Sequence, residues 1–150
     1  MNAHGFTLAE IVVVLALAGV LATLVAPALS SYARTAELQA AARQLATSIN
    51  LGRQVAISRN TTVCVEVASP TDIRLRTGGC GGAVWTGPGT DGSGAIKISD
   101  SNALRISATA NVVFTSIGAA SPAGTYTLTS PVNDGTRTVV VAATGRVSVR

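Results

Sequence analysis

The sequence predicts an α+β protein: a long N-terminal helix followed by a domain of antiparallel strands. Three observations carry this. No charged residue occurs from Ile11 to Ala33. Past that run, apolar residues return at helical spacing. From Thr61 onward, apolar and polar residues alternate, and the runs are separated by loops rich in Gly, Pro, Ser and Asp. A chain of 150 residues suffices for one core-forming domain plus a helical extension. Hydrophobic residues make up 47% of the chain and aromatic residues only 3%, because much of the apolar content is aliphatic and sits in the first helix.

Phe6 to Leu29 spans 24 residues. At about 1.5 Å per residue this is roughly 36 Å, enough to cross a hydrocarbon core of about 30 Å. The segment contains one charge, Glu10. A carboxylate inside a membrane helix costs roughly 2.5–3.5 kcal/mol on insertion scales, which predicts a partner. Cleavage between Gly5 and Phe6 would generate an amine four residues before the acid, one helical turn away. The competing reading is a secretory signal peptide with Ala26-Pro27-Ala28 as its cleavage site. A missing basic n-region, an apolar run too long for an h-region and an acid at its start argue against that.

Pro27 removes one backbone hydrogen bond and predicts a bend or local melting of the helix. Beyond it, Leu38, Ala42, Leu45, Ile49, Gly52 and Ala56 form an apolar stripe, with Gln44, Thr47, Gln54 and Ser58 on another face. The helix is expected to end at Arg59-Asn60. Residues 6–29 are thus expected in lipid or a filament core. Residues 30–59 form an amphipathic helix laid on a sheet, and 60–150 the β-rich domain.

In the first strand Val63, Val65 and Val67 point one way, and Thr62, Cys64 and Glu66 the other. Ser69-Pro70-Thr71-Asp72 turns the chain, and Ile73 and Leu75 against Arg74 and Arg76 return it. Further strands are expected at Ala95–Ser99, Leu104–Ala108, Val112–Ser116, Thr125–Ser130, Thr136–Ala142 and Arg146–Arg150. The last two form a hairpin across Ala143-Thr144-Gly145, with glycine at the left-handed position. This register sets Val141 beside Val147 and Val139 beside Val149, leaving Arg146, Ser148 and Arg150 on the opposite face.

Cys64 and Cys80 make one disulfide available in an oxidising compartment. Cys64 lies on the strand face opposite the valines, and Cys80 sits in a glycine-flanked loop free to reach it. Ten Arg and one Lys against seven acids give a scattered net charge of +4, which reads as a solvated surface. Asp91, Asp100 and Asp134 lie on or near loops, but their spacing fits no calcium loop and they read as solvated turn residues. Gly87–Gly94 lacks a following Gly-Lys-Ser/Thr and is not a phosphate cradle. No cofactor is implied.

Gly5-Phe6-Thr7-Leu8-Ala9-Glu10, followed by Ile11-Val12-Val13-Val14-Leu15, resembles the prepilin peptidase motif of type IV pilins and type II secretion pseudopilins. The resemblance implies the type IV pilin fold and removal of residues 1–5 as a leader. It also implies N-methylation of Phe6 and a role for Glu10 in docking into the filament. Pro27 matches the family's kinking proline. The sequence departs from the motif at Ala9, where a larger aliphatic is usual, and in a leader without Lys or Arg. The implied N-terminus is cytoplasmic and the implied chain is single-pass in the bacterial inner membrane with its C-terminal domain in the periplasm. The only histidine, His4, would leave with the leader, which excludes Ser-His and Cys-His catalysis and histidine metal sites from the mature chain. No enzyme is expected.

Leu51-Gly52-Arg53-Gln54-Val55-Ala56-Ile57-Ser58-Arg59-Asn60, then Val63-Cys64, resembles the helix end and first strand of the GspH/FimT group. So does Val139-Val140-Val141 with Gly145-Arg146-Val147. The implied function is that of a minor pseudopilin or minor pilin, a structural subunit of a type II secretion pseudopilus or type IV pilus. Its implied partners are other pilins, prepilin peptidase, the inner-membrane assembly platform and, before assembly, lipid. The alternative is a FimT-like minor pilin that binds DNA during natural transformation through a C-terminal Gly-Arg-x-Arg. Arg146 matches that pattern, Ser148 stands in place of its second arginine, and Arg150 follows two residues later. Arg74, Arg76 and Arg105 are the other basic residues considered for such a patch.

Overall fold

The computed structural model describes residues 7–99, 104–131 and 135–150, apart from the side chains of residues 24–28. The chain forms two units, residues 1–36 and 37–150. Gly5 and Phe6 lie outside the described residues.

One helix, α1, runs Leu8–Ser58. In the first unit it is lined all round by exposed aliphatic side chains, among them Leu8, Val12, Val14, Leu17 and Leu21. The helix is continuous through Pro27, so of the bend or local melting expected there the melting does not occur. The proline deprives a single carbonyl of its donor, and the helical bonds on either side hold the helix. Among the described residues no helix is long and apolar enough to cross a membrane. The apolar run read from the sequence extends beyond the described residues at Phe6 and includes the undescribed side chains of residues 24–28.

In the second unit the apolar stripe is buried as expected: Leu38, Ala42, Leu45, Ile49 and Ala56 are core residues, joined by Ala41 and Val55. Gly52 fixes the approach to the strands. A β-carbon there would come within 3.0 Å of Leu75 Cδ2 and 3.3 Å of Val65 Cγ2. The helix ends in a Schellman motif. Thr61 N–H donates to the Ala56 carbonyl (3.1 Å) and Asn60 N–H to that of Ile57 (3.2 Å). Asn60 sits between them at φ 48°, a left-handed position that asparagine tolerates better than most residues.

The strands form two sheets rather than one continuous layer. The first contains β1 (Val63–Val67), β2 (Asp72–Thr77), β3 (Ala83–Val84), β4 (Ala95–Lys97) and β6 (Val112–Phe114). Its order is β3-β2-β1-β6, with β4 also paired to β2. The second has the order β5-β7-β8-β9, with β5 at Arg105–Ala108, β7 at Gly124–Ser130, β8 at Gly135–Val141 and β9 at Val147–Val149. Every pairing is antiparallel. The closing hairpin has the expected register, Val139 opposite Val149 and Val141 opposite Val147. Short β3, inside the glycine-rich stretch, is a strand that alternation does not predict.

Tyr126 of β7 joins the sheets. Its buried hydroxyl donates to the Val65 carbonyl of β1 (2.9 Å) and accepts from the Val112 N–H of β6 (3.3 Å). Valine, leucine and isoleucine from both sheets and α1 fill the space around it, with Phe114 and Trp85 the other aromatic members of the core.

Candidate assembly determinants and surface sites

Thr7 caps the start of α1. Its carbonyl accepts from the backbone N–H of Glu10 (3.1 Å) and of Ile11 (3.2 Å), and its hydroxyl also accepts from Glu10 N–H (3.3 Å). Threonine followed by glutamate three residues later is the order of a capping box, and an acid in the first turn suits the helix dipole. Glu10 is nevertheless exposed and makes no ion pair among the described residues. With Ile11, Val14 and Leu15 it lines a shallow recess of about 250 Å³ on an otherwise aliphatic surface. A lone carboxylate at the head of an uncovered apolar helix is the most unusual electrostatic feature of this unit.

In the second unit Cys64 and Cys80 are joined by a disulfide, with Cα atoms 5.0 Å apart. The bridge ties β1 to the loop after β2. Cys64, expected on the face opposite the valines, is fully buried. The Cys80 loop folds over that side of β1, so the sheet is covered on both faces there. Beside it, Arg76 Nε donates to Glu66 Oε2 at 2.6 Å and Arg76 Nη1 to the Gly82 carbonyl at 3.1 Å. This partly exposed ion pair contributes at most about 1 kcal/mol.

Asp91 is a turn former. Its Oδ1 accepts from the Ser93 hydroxyl and from the backbone N–H groups of Ser93 and Ala95, each at 2.8 Å. The Ser93 hydroxyl and these backbone donors hold its carboxyl below the usual range. Asp100 and Asp134 lie outside the described residues, and among the described residues no acidic, Cys or His group could hold a metal.

Arg146 and Arg150 are exposed and flank β9. The basic residues considered as their neighbours do not join them. Arg74 and Arg76 belong to the other sheet, and Arg105 lies on β5, at the far edge from β9. Arg43 of α1 and Arg137 of β8 instead share a recess with Arg150. Sequence reasoning misses both, because nothing in their spacing links them to the chain end. Near Arg146, Arg53 Nε donates to the Gly118 carbonyl at 2.9 Å.

A capped N-terminal helix with an exposed early glutamate, laid in its second half on antiparallel sheets, defines a pilin-type structural subunit. The model of the type II transport protein GspH matches residues 41–145, and the prokaryotic N-terminal methylation motif matches residues 1–26. The chain belongs to the GspH family, whose members are minor pseudopilins and minor pilins. No curated protein matches its sequence significantly. Among solved structures it resembles the type IV minor pilin FimU of Pseudomonas aeruginosa, with TM-score 0.58 and 16% identity over 79% of this chain and 92% of that one. The minor pseudopilin EpsH of Vibrio cholerae gives TM-score 0.58 and 11% identity, covering 76% and 96%. The solution structure of E. coli GspH gives TM-score 0.57 and 12% identity, covering 77% and 88%. At these identities the likeness establishes the type IV pilin fold.

Proposed function

We propose that the chain is a minor subunit of a secretion pseudopilus in the bacterial periplasm, cleaved between Gly5 and Phe6 and N-methylated at Phe6. Before assembly, residues 6–29 hold it in the inner membrane. The matched family description, a type II transport protein, names the secretion filament, and a type IV pilus, as for the minor pilin FimU, is the other filament the same assembly reading covers. The observation that carries the reading is Glu10, a carboxylate without an ion pair among the described residues at the head of an exposed aliphatic helix. Packed among other such helices, that charge would be desolvated and would need a cation. The amine of a neighbouring subunit's Phe6 supplies one.

Coexpression with a prepilin peptidase and the other subunits tests this in two steps. Intact mass should fall by residues 1–5 and rise by one methyl group; loss of about 28 residues instead would establish a signal peptide. Glu10→Ala should still insert and be cleaved but fail to enter filaments, and normal incorporation would reject the pairing. A nucleic-acid role for Arg146 and Arg150 is the second reading, favoured by their exposure. Titration with labelled duplex at low salt tests it, since phosphate contacts give a steep salt dependence.

A further inference from the structure

The recess beside the end of β9 has a volume of about 390 Å³ and is lined by Gln39 and Arg43 of α1, Arg137 of β8, Val149 of β9 and Arg150. Its lining includes three arginines and no Asp or Glu, and by the hairpin register Arg137 shares the face of Val149 while Arg150 leaves β9 on the other. None of the three makes an ion pair or side-chain hydrogen bond among the described residues. Like charges gathered around one recess repel, and an anion placed among them converts that repulsion into attraction.

A second observation lies alongside. β9 is the terminal strand of its sheet. Thr138 and Arg150 exchange backbone hydrogen bonds, and Ala142 N–H donates to the Arg146 carbonyl. In an antiparallel ladder bonded and non-bonded pairs alternate, so the N–H and C=O groups of Val147 and Val149 point away from β8. Among the described residues they make no backbone hydrogen bond on that side. An uncovered edge of this kind accepts another strand. Val149, 40% exposed, adds an apolar contact at the mouth of the recess.

We propose that the β9 edge and its arginine recess form a docking site for an extended, carboxylate-bearing strand of a neighbouring subunit. The strand pairs with Val147–Val149 and places an acidic side chain beside Arg43 and Arg137, whose planar donors suit a carboxylate. The unpaired backbone edge and the apolar Val149 favour a polypeptide over a phosphodiester chain, which uses neither, and no aromatic lines the recess for base stacking. Two copies of this edge would bring their arginines together, which favours a different subunit as the donor. The source of the strand rests on the filament reading; the chemistry of the recess does not.

The test uses the full-length chain in detergent and a fluorescein-labelled peptide, Thr-Glu-Val-Glu-Val-Thr, beside its Gln-for-Glu counterpart. Anisotropy should show the acidic peptide binding at least tenfold more tightly. Arg43→Gln with Arg137→Gln should weaken it at least tenfold without changing the unfolding transition, whereas Arg59→Gln should change it less than twofold. N-methylation of the peptide's valine amides should abolish binding. Equal binding of the two peptides, or no effect of the paired arginine substitutions, would overturn the proposal. So would duplex DNA binding through these arginines in place of the acidic peptide. Glu10→Ala should leave peptide binding intact, so a failure of filament incorporation and a failure of this site are read separately.

Discussion

The first and second halves of α1 share aliphatic residues and meet opposite surroundings. Leu21 is 63% exposed and Leu45 is fully buried, though both are leucines in one helix. The difference lies in what separates the apolar residues. In the second half charged and polar groups alternate with them, so one stripe suffices and the strands cover it. In the first half apolar residues occupy every side, and no single sheet could cover them all. Such a surface is complete only when lipid or several neighbouring helices surround it. Two roles follow within one chain. Residues 37–150 stabilise themselves, and the apolar stretch before them is stabilised by what it joins.

The largest expected effect sharpens this division directly. Leu45→Ala should cost the β domain about 2–5 kcal/mol, because it removes buried methyl groups and leaves a cavity. Leu21→Ala, measured on the same chain in detergent by denaturant unfolding followed at Trp85, should leave that transition unchanged. Equal shifts for the two substitutions would break the comparison. A comparable effect belongs to the disulfide. Cys64 and Cys80 are 16 residues apart, and opening a loop of that size should cost about 3 kcal/mol. Reduced and oxidised protein compared by the same unfolding measurement checks it, and leader cleavage should be indifferent to the redox state.

Local pattern carries much of this architecture, and long-range geometry carries the rest. The stripe from Leu38 to Ala56 and the pairing of Val139 with Val149 follow from period 3.6 and period 2, so both are readable one residue at a time. The division into two sheets is not, because it depends on which strands meet across tens of residues. The burial of Cys64 escapes the sequence for the same reason: alternation assigns a face, but not what the Cys80 loop folds over it. The meeting of Arg43, Arg137 and Arg150 is likewise invisible in sequence, since it requires α1, β8 and the chain end to converge. At the N-terminus the motif itself is legible, whereas the Thr7 cap on the Glu10 N–H is a feature that the structure adds.

The two tyrosines restate the contrast between the halves in a form that pH can read. Tyr32 lies on the first half of α1 and is 73% exposed. Tyr126 is buried, and burial pushes its phenol from 10.0 up to about 12. Its neutral hydroxyl bridges the Val65 carbonyl and the Val112 N–H, so ionisation would place an unsolvated charge between the sheets. An acid whose folded pKa is raised contributes stability that is complete below its unfolded value. The unfolded chain therefore begins to lose this proton near pH 10 while the folded chain keeps it, and stability should fall as pH rises from 10 to about 12. The loss across that window should be roughly 2–3 kcal/mol. Tyr126→Phe should cost about 1–3 kcal/mol at neutral pH, because two buried backbone groups lose their common partner. The same substitution should flatten the alkaline decline, whereas Tyr32→Phe should change neither quantity. Unfolding free energies of the three proteins between pH 7 and 12 decide the matter, and an undiminished decline in Tyr126→Phe would show that another group controls it.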